Sequence, residues 1–589
     1  MKSYKYKALT LGLSLAALAS CSESFLDKVP DERTEIDTED KVVQLLVSAY
    51  PESNPAWVGE ISSDNLIDNQ SPHLPSNPND KQVEAHYNYS SYAKYDDDLF
   101  RFEAASNATY SNQDSPGSLW SGYYGSVAAV NQALAGIDRI CPDGNLSSSM
   151  KAAKGEALLL RAYSHFQLVN IFSKAYKNDE ASKNDVGVPY VTEIEETVSK
   201  KYDRSNVAET YKKIGEDLEA GLALVSDVNY TTAPKYHFNV NAAHAFAARY
   251  YLYKRNYEKV IEHANAVLGT DSASFQRMVM DLSQFSGCSS LSDYANVWHS
   301  PNLNGNLMLI DTYSLMQRRM FGYRYSYAGP AASNSLMIRS NHSSLWSGYI
   351  CPAISLVNGS LFSSSSSDYG FFSSKIGEHF EYTDKVSGIG YCHQIYRAFT
   401  SNELLLERAE AYIMLGNYAA AANDLRWYWN CQLESMSADD YKQYVNGSYI
   451  KKMTNKEFAD RGYYNPASGS VNTNCYRNWD FTQRMSSDFV VPAEAVPYMN
   501  CVNDFRRYET AFDGLRFFDV KRWGIDYSHT YSVYKEIYNS NYDDAVRAIE
   551  VPWEAISGGM DSSRPTSNAT DANSAKLTMN KSSFVVKTK

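Results

Sequence analysis

The strongest constraint on the fold is a helical spacing of apolar residues that returns in several long windows of the chain. Across residues 119–140, apolar side chains recur three or four positions apart, which is the spacing of one helix face, at Leu119, Tyr123, Val127, Val130, Leu134 and Ile137. The window 155–176 repeats this pattern. Pro142 and Gly144 separate the two windows, and both residue types interrupt helices. The sequence therefore predicts a helical hairpin here.

Two later windows, 241–268 and 401–427, share a second plan. In each, a helical stretch leads into a turn and a second helical stretch, and Arg255-Asn256-Tyr257 aligns with Gly416-Asn417-Tyr418. Small alanines near both turns would allow neighbouring helices to approach closely. The plan resembles the tetratricopeptide helix pair. The alternative is two unrelated amphipathic hairpins, since residues 269–400 separate the windows.

Residues 1–20 have the composition of an export signal. Three lysines among the first seven residues precede an uncharged, mostly apolar run, which is shorter than the roughly 20 residues of a membrane-spanning helix. The run ends in Leu18-Ala19-Ser20-Cys21, which resembles a bacterial lipobox, so we predict cleavage before Cys21 and lipid attachment to it. The alternative is an ordinary secretory signal with an incidental cysteine. No later apolar run is long enough to span a membrane.

Charge and metal-ligand patterns exclude several classes of function. The formal net charge of −13 argues against nucleic acid as a partner, because phosphate backbones are bound by clustered cations. Beyond Cys21, seven cysteines form no Cys-x-x-Cys pair. This disfavours a zinc site or a disulfide framework and leaves one or two bridges open. The 11 histidines show no pair at metal-ligand spacing, so we predict no cofactor and no metal.

Acidic motifs allow two interpretations. In 513–522, Asp513, Arg516, Asp519 and Arg522 recur at steps of three, which favours an intramolecular ion network over an acid–base pair. The segment 95–98, "YDDD", is interpreted as a solvated turn, with a calcium site as the alternative. P-loop and Gly-x-Ser-x-Gly motifs are absent from the sequence. We predict no catalytic residues. A surface glycoside hydrolase that uses "YDDD" or another acid pair is the rival hypothesis.

Aromatic residues in irregular segments predict the binding surface. The chain has 47 Tyr, 23 Phe and 9 Trp, and flat rings with a polar rim suit stacking on sugar faces. Polar side chains beside them would form hydrogen bonds with the hydroxyl groups of the sugar. The candidates, with Trp298 and Trp346 first, are Trp57, Asp64, Asn65, Tyr87, Tyr89, Trp298, Asn304, Tyr313, Tyr323, Tyr325, Tyr327 and Trp346. The opposing interpretation is that these rings fill the cores of the loops.

Motifs along nearly the whole chain resemble the SusD/RagB family of outer-membrane lipoproteins. The segments that carry the resemblance are "CSESFLDKVP" (21–30), "LRAYSHFQLVNIF" (160–172), "DVGVPYVTE" (185–193), "DRSNVAETYKKIGEDLEAGLALV" (203–225), "ERAEAYIMLGNYAAAANDL" (407–425), "RYETAFDGLRFFDVKRWG" (507–524) and "AIEVPWEAI" (548–556). Asp513 stands where the family more often has Glu. The resemblance implies a mostly α-helical, tetratricopeptide-like scaffold with large irregular loop insertions. It also implies no enzymatic activity.

The resemblance further implies a surface-exposed, lipid-anchored protein of the outer membrane. Its partner would be a SusC-like TonB-dependent barrel transporter, and its ligand an oligosaccharide. A scaffold, or a binder of a non-sugar nutrient such as peptide, is the alternative. The expected organisation is a signal peptide (1–20), a lipidated tether (21–45), an N-terminal helical region (46–270), a loop-rich ligand-binding region (271–395) and a C-terminal region with a helix pair and an irregular tail (396–589).

Overall fold

The chain is mostly helical, which confirms the predicted fold class. The structure is a computed structural model that describes residues 36–68, 90–105, 112–195, 201–278, 280, 282–285, 288–320, 324–328, 370–371, 373–431, 489–531, 536–564 and 576–577. The helices are α1 (Glu39–Val47), α2 (Ala56–Ile61), α3 (Lys94–Phe100), α4 (Pro116–Ile140), α5 (Ser148–Phe172), α6 (Val207–Leu222), α7 (Val240–Lys254), α8 (Tyr257–Leu268), α9 (Ser272–Met278), α10 (Leu291–Trp298), α11 (Met316–Met320), α12 (Ser401–Met414), α13 (Tyr418–Cys431), α14 (Val496–Glu509), α15 (Arg516–Arg522) and α16 (Trp553–Ser557).

Short strands lie between these helices and form three antiparallel sheets. The strands are β1 (Ile67–Asp68), β2 (Asn306–Tyr313), β3 (Tyr325–Ala328), β4 (Gly370–Phe371), β5 (Glu378–Asp384), β6 (Ile389–Thr400), β7 (Tyr527–Tyr531), β8 (Glu536–Ser540) and β9 (Lys576–Leu577). The strand orders are β1-β3-β4, β2-β6-β5 and β7-β8-β9. Single 3₁₀ turns occur at Ala181–Asn184, Asp227–Asn229, Pro234–Tyr236, Leu282–Phe285, Ser374–Ile376 and Ala545–Arg547.

The predicted hairpin over 119–176 is present as α4 and α5. Helix α4 begins before the predicted window, because the Oγ of Ser115 accepts the backbone N–H of Ser118 at 3.0 Å and Pro116 occupies the first helical turn. Gly144 supplies the turn with φ of 73°. Helix α5 ends at Phe172, earlier than predicted, and is buried on nearly every face. It packs against both α4 and α6 and so occupies the centre of the helical body.

The two aligned windows fold as helix pairs, α7–α8 and α12–α13, and their turns match residue for residue. Arg255 and Gly416 both have positive φ, 60° and 75°. The side chains of Asn256 and Asn417 then each accept a backbone N–H three residues on, both at 3.2 Å. An αL residue followed by an asparagine N-cap ends one helix and starts the next. The two turns therefore use one local mechanism.

The two helix pairs also stack on one another. Helix α12 packs against α7 and α8, and fully buried alanines lie along α7 at Ala242, Ala243, Ala247 and Ala248. The guanidinium of Arg249 in α7 donates to the Glu403 carboxylate in α12 at 2.5 Å. Segments far apart in sequence thus form neighbouring layers of one scaffold.

The central region predicted as irregular contains regular strands. Sheet β2-β6-β5 lies within it, and β6 continues past the expected boundary at residue 395 to Thr400. The Oγ1 of Thr400 accepts the backbone N–H of Glu403 at 3.3 Å and caps α12. Strand and helix are therefore continuous, and the sheet is joined directly to the helical scaffold.

Two further findings concern the described part of the chain. None of its helices combines the length and the apolar character needed to cross a membrane. Three of its cysteines, Cys141, Cys288 and Cys392, carry free thiols.

Candidate functional site

A polar cleft opens where the chain after α1 meets the start of α4 and the sheet β2-β6-β5. Its volume is about 550 Å³. It lies beside three tyrosine rings and a row of serine hydroxyls, a combination that offers both flat apolar faces and hydrogen-bonding groups. The residues that line it are Ser48, Ala49, Tyr50, Glu52, Ser53, Gln113, Ser118, Ser121, Gly122, Gly125, Ser126, Tyr313 and Tyr391.

Backbone contacts hold the walls of the cleft in place. The Oγ of Ser53 donates to the carbonyl of Ser118 in α4 at 3.0 Å, and the N–H of Tyr313 in β2 donates to the carbonyl of Glu52 at 2.8 Å. A Cβ on Gly122 would lie 2.9 Å from the Ser53 Oγ, so this close approach requires glycine. The segment 48–53 is thereby fixed against both the helix and the sheet.

Helix α4 leaves the floor of the cleft open at Gly125. A Cβ added there would meet nothing within 4 Å. Ser121, one turn earlier on the same face, is exposed. Glycine in a helix interior lowers the stability of the helix. Because Gly125 has no side chain, the space in the cleft over this part of α4 stays open.

The sheet contributes one face to the cleft. In the ladder, Tyr313 of β2 pairs with His393 of β6, and Glu381 of β5 pairs with Tyr391. Since successive side chains in a strand alternate between faces, Tyr391, His393, Tyr313 and Asp311 share one face. The Tyr313 and Tyr391 rings contact edge to face, with centroids 5.3 Å apart. This pair forms the aromatic wall of the cleft.

The surroundings of Tyr313 in the cleft disfavour ionisation of its phenol. Burial, followed by the nearby carboxylates of Glu52 and Glu381, raises the pKa of Tyr313 above its ordinary value. The phenol therefore stays protonated at neutral pH and both donates and accepts hydrogen bonds. Tyr391 remains about half exposed, at 49%, so its ring face is accessible. The arrangement suits a flat ligand with many hydroxyl groups.

A second cavity of about 420 Å³ lies on another face of α4. Its lining includes Trp120, Tyr124, Val127, Pro189 and Met560. The exposed lining of this cavity is predominantly apolar, whereas that of the first cleft is divided about evenly between polar and apolar groups. A ligand with many hydroxyls is therefore better matched by the serine-lined cleft.

Two of the predicted tryptophans are core residues, which corrects the expectation that they face ligand. Trp57 is buried, and its Nε1–H donates to Asp96 at 2.9 Å. Trp298 is also buried, beneath the guanidinium of Arg397 at 4.6 Å from the ring. The polar sequence neighbours of Trp298 suggested exposure, but residues distant in sequence cover its ring.

Tyr325 and Tyr327 of β3 are likewise interior, for a related reason. Their hydroxyls donate to Asp97, which is partly buried, and to Glu60, which is fully buried, so a carboxylate holds each ring in place. Asn65 is fully buried and donates to the Tyr327 hydroxyl at 3.0 Å. These residues join the early part of the chain to β3 and present no accessible ring face.

The remaining candidates fall into three groups. The Asp64 carboxylate forms an ion pair with Arg516 at 2.7 Å. Asn304 is exposed on a turn before β2. Tyr313 is the one predicted residue among those that line the described cleft. The other four candidates lie outside the described residues, as Cys21 does: Tyr87, Tyr89, Tyr323 and Trp346.

Sequence reasoning missed Tyr391, the partner of Tyr313 in the aromatic wall. The stretch "YCHQIYRAF" (391–399) alternates between residues on the cleft face and residues on the opposite face. Period-two alternation is the signal of a strand. The contact of the Tyr391 ring with Tyr313 of β2 depends on the register of β6 against β2, which local pattern does not specify.

The "YDDD" segment is a helix with partnered carboxylates, so the interpretation as a solvated turn is wrong. Asp96 is buried and receives two hydrogen bonds from Arg319, both at 2.8 Å. Burial raises the pKa of Asp96 to about 6, although Arg319 opposes the shift. Asp97 accepts the Ser91 hydroxyl at 2.6 Å, and Asp98 pairs with Arg101 at 2.9 Å. These partners leave the segment little capacity to act as an acid pair or a calcium site.

The charges of 513–522 do form an intramolecular network, as predicted, but most partners come from other elements. Asp519 pairs with Arg522 at 2.8 Å and with Arg506 of α14 at 2.9 Å. Burial opposes ionisation of Asp519, but the two arginines outweigh it and lower its pKa. Asp513 contacts Arg397 of β6 at 3.2 Å. The network thus fixes α15 to the scaffold and to the central sheet.

Known proteins share this architecture. Residues 24–252 match a family model described as "Starch-binding associating with outer membrane". A SusD superfamily protein from Bacteroides thetaiotaomicron VPI-5482 is 16% identical, with 89% of this chain and 99% of that chain covered and a TM-score of 0.53. A protein from Bacteroides vulgatus ATCC 8482 described as sugar-binding is 17% identical, with 90% and 99% covered and a TM-score of 0.54.

A third solved structure, of a SusD superfamily protein from Bacteroides fragilis, is 13% identical, with 90% and 99% covered and a TM-score of 0.54. At these identities the likeness shows a common fold. A search of curated proteins finds no match to this sequence.

Proposed function

We propose that this chain, whose residues 24–252 match the starch-binding family model, is a SusD-like protein that binds glycan at the cell surface and passes it to a transporter. The cleft beside β2 and β6 is the proposed binding site. The ligand leaves chemically unchanged, because the residues at the site offer stacking surfaces and hydrogen bonds. In this proposal the protein binds its ligand and does not cleave it.

The observation that carries the proposal is the joining of ring faces and hydroxyls in one cleft. Sugar rings present C–H groups on their faces, which pack on tyrosine rings such as Tyr391. Hydroxyl and carboxylate groups at the rim, on Ser48, Ser121 and Glu52, would bind the sugar hydroxyls. The family description as starch-binding and the sugar-binding relative from B. vulgatus support this ligand class.

Titration calorimetry of the detergent-solubilised chain against a panel of soluble polysaccharides tests the site. Affinity should be modest, with dissociation constants between about 1 μM and 1 mM. Tyr391→Ala should weaken binding about five- to tenfold, because one stacking face is lost. Tyr382→Ala is the matched control. Tyr382 is 52% exposed, close to the 49% of Tyr391, and lies on the opposite face of the same hairpin.

Equal losses in the two tyrosine variants would contradict the assignment of the cleft. Binding of peptides with no signal on any glycan would favour the alternative of a scaffold or peptide binder. Release of shortened glycans during the titration would favour a hydrolase.

The proposal includes a lipid anchor at Cys21 and a TonB-dependent barrel of the SusC type as the partner. The lipobox-like sequence before Cys21 and the described association of the family with the outer membrane support it. A contact that covers a pore should be large, on the order of 2,000 Å² or more. Cys21→Ser should abolish palmitate labelling and release the protein from membranes. Failure of any barrel transporter to co-purify with the anchored protein would contradict the delivery step.

A further inference from the structure

The central sheet brings together three side chains that the sequence keeps apart: Asp311 of β2, His379 of β5 and His393 of β6. In the ladder His379 pairs directly with His393, and Asp311 lies two positions before Tyr313, which pairs with His393 from the other side. One ligand atom of each residue lies within 4.8 Å of the others. All three side chains project from the face that carries the aromatic wall.

The distances match the first coordination shell of a transition metal. Ligand atoms bound tetrahedrally to Zn²⁺ at 2.0–2.2 Å lie about 3.3–3.6 Å from one another. Here the Asp311 carboxylate lies 3.1 Å from the His393 Nδ1 and 3.6 Å from the His379 Nε2. A small movement of side chains would place all three around one ion.

The second ring nitrogen of His393 is also placed as in known metal sites. It lies 3.1 Å from the Glu381 carboxylate, although it makes no hydrogen bond of good geometry. A histidine that binds a metal through one nitrogen commonly has its other nitrogen oriented by a carboxylate. Glu381 is therefore a positioning residue, and together with Asp311 it gives the site the negative charge that favours a cation.

Exposure divides the site into a fixed part and an open part. The His393 side chain is nearly buried, at 9%, whereas Asp311 and His379 are about half exposed, at 47% and 49%. The buried imidazole gives the site one rigid ligand, and the exposed pair gives an ion a route of entry. With three protein ligands, a fourth position is left for water or ligand.

We infer that Asp311, His379 and His393 form a binding site for a divalent transition-metal ion, with Zn²⁺ the best match. Two imidazoles and a carboxylate suit such ions better than Ca²⁺ or Mg²⁺, which take oxygen ligands. The site lies at the rim of the cleft, since the His393 ring contacts the Tyr313 ring at 4.5 Å. A bound ion would tie the β5–β6 hairpin to β2 and fix this end of the aromatic wall.

Calorimetric titration with ZnCl₂, after removal of metal from the full chain by EDTA, tests the inference. One ion should bind per chain. His379→Ala should weaken binding at least about tenfold, and Glu381→Gln about tenfold, the effect typical of a residue that orients a ligand. His244→Ala is the control, because His244 contacts another histidine, His263, at 2.9 Å on α8.

Absence of stoichiometric Zn²⁺ binding would overturn the inference. The inference would also be overturned if His244→Ala weakened Zn²⁺ binding and His379→Ala did not. That result would assign the ion to the His244–His263 pair. The outcome is separable from the proposed glycan function, since glycan titration in EDTA reports on the cleft without the ion. If the chain binds Zn²⁺ but no glycan, only the proposed glycan-binding function is overturned.

Discussion

At the scale of single residues, the interior uses polar side chains whose charge state is set by their neighbours. His165 of α5 is fully buried, and its Nε2 accepts the backbone N–H of Val191 at 3.0 Å. That nitrogen must be unprotonated to accept, so Nδ1 carries the proton and faces the Arg161 carbonyl at 2.9 Å. Burial, only partly opposed by the contact with Arg161, lowers the pKa of His165 to about 4.

This lowered pKa predicts a loss of stability in acid. The unfolded histidine has a pKa of about 6.5, so protons bind the unfolded chain first as pH falls from 6.5 towards 4. From this group the free energy of unfolding should be about 2 kcal/mol lower at pH 5 than at pH 7. Urea unfolding at both pH values should show a smaller difference for His165→Gln, which keeps an acceptor without titrating. An unchanged difference in the variant would contradict the assignment.

Exposure of single aromatic residues was the least predictable property from sequence. Trp298 lies among serine, asparagine and histidine in the sequence, yet Phe285, Lys375 and Arg397 surround its ring. Local composition carries no information on such distant partners. Tyr313, by contrast, lies near the end of β2, where the strand reaches the cleft, and its side chain lines the cleft.

At the scale of elements, long helices were predictable and strands were not. The spacing of apolar residues located α4 and α5, because the 3.6-residue period persists over many turns. Strands β2, β5 and β6 lie in a region rich in Ser, Gly and aromatics. Their stability comes from pairing between distant segments, which a local sequence pattern does not show.

The turn of the α12–α13 pair gives a prediction about glycine. Gly416 has φ of 75° and a Cβ there would meet nothing within 4 Å, so Gly416→Ala introduces backbone strain alone. It should lower the free energy of unfolding by about 1 kcal/mol. Gly125→Ala, in the interior of α4 with equally open surroundings, should raise it by about 0.5–1 kcal/mol.

Urea unfolding of the two alanine variants measures both effects. Shifts of the same sign in the two variants would contradict the account, because the side chain added is identical and only the backbone conformation differs.

At the scale of the whole molecule, buried ion pairs join segments from opposite ends of the chain. Arg516 of α15 donates to both oxygens of Asp64 at 2.7 and 3.0 Å, and neither side chain is more than 4% exposed. Nearby, Gly59 of α2 approaches Gly514 so closely that a Cβ would lie 2.0 Å from its carbonyl oxygen. Helices α2 and α15, which lie near opposite ends of the chain, thus pack as one unit.

Removal of Arg516 should therefore be costly. Arg516→Ala leaves the Asp64 carboxylate buried with weakened compensation, and the free energy of unfolding should fall by about 3 kcal/mol or more. Arg318→Ala is the matched control, since Arg318 pairs with Glu378 at 2.9 Å but is 45% exposed. It should cost at most about 1 kcal/mol. Equal losses in denaturant titrations would show that burial does not determine the contribution.

Strand β6 passes into helix α12 without an intervening loop, as the cap by Thr400 requires. A hinge needs a few residues free to change their backbone angles, and this junction offers none. The aromatic wall of Tyr313 and Tyr391 is therefore preorganised, which means that it has the same geometry before a ligand binds. Binding of the proposed glycan ligand would then cost little backbone entropy, so a low affinity would be compatible with selectivity for shape.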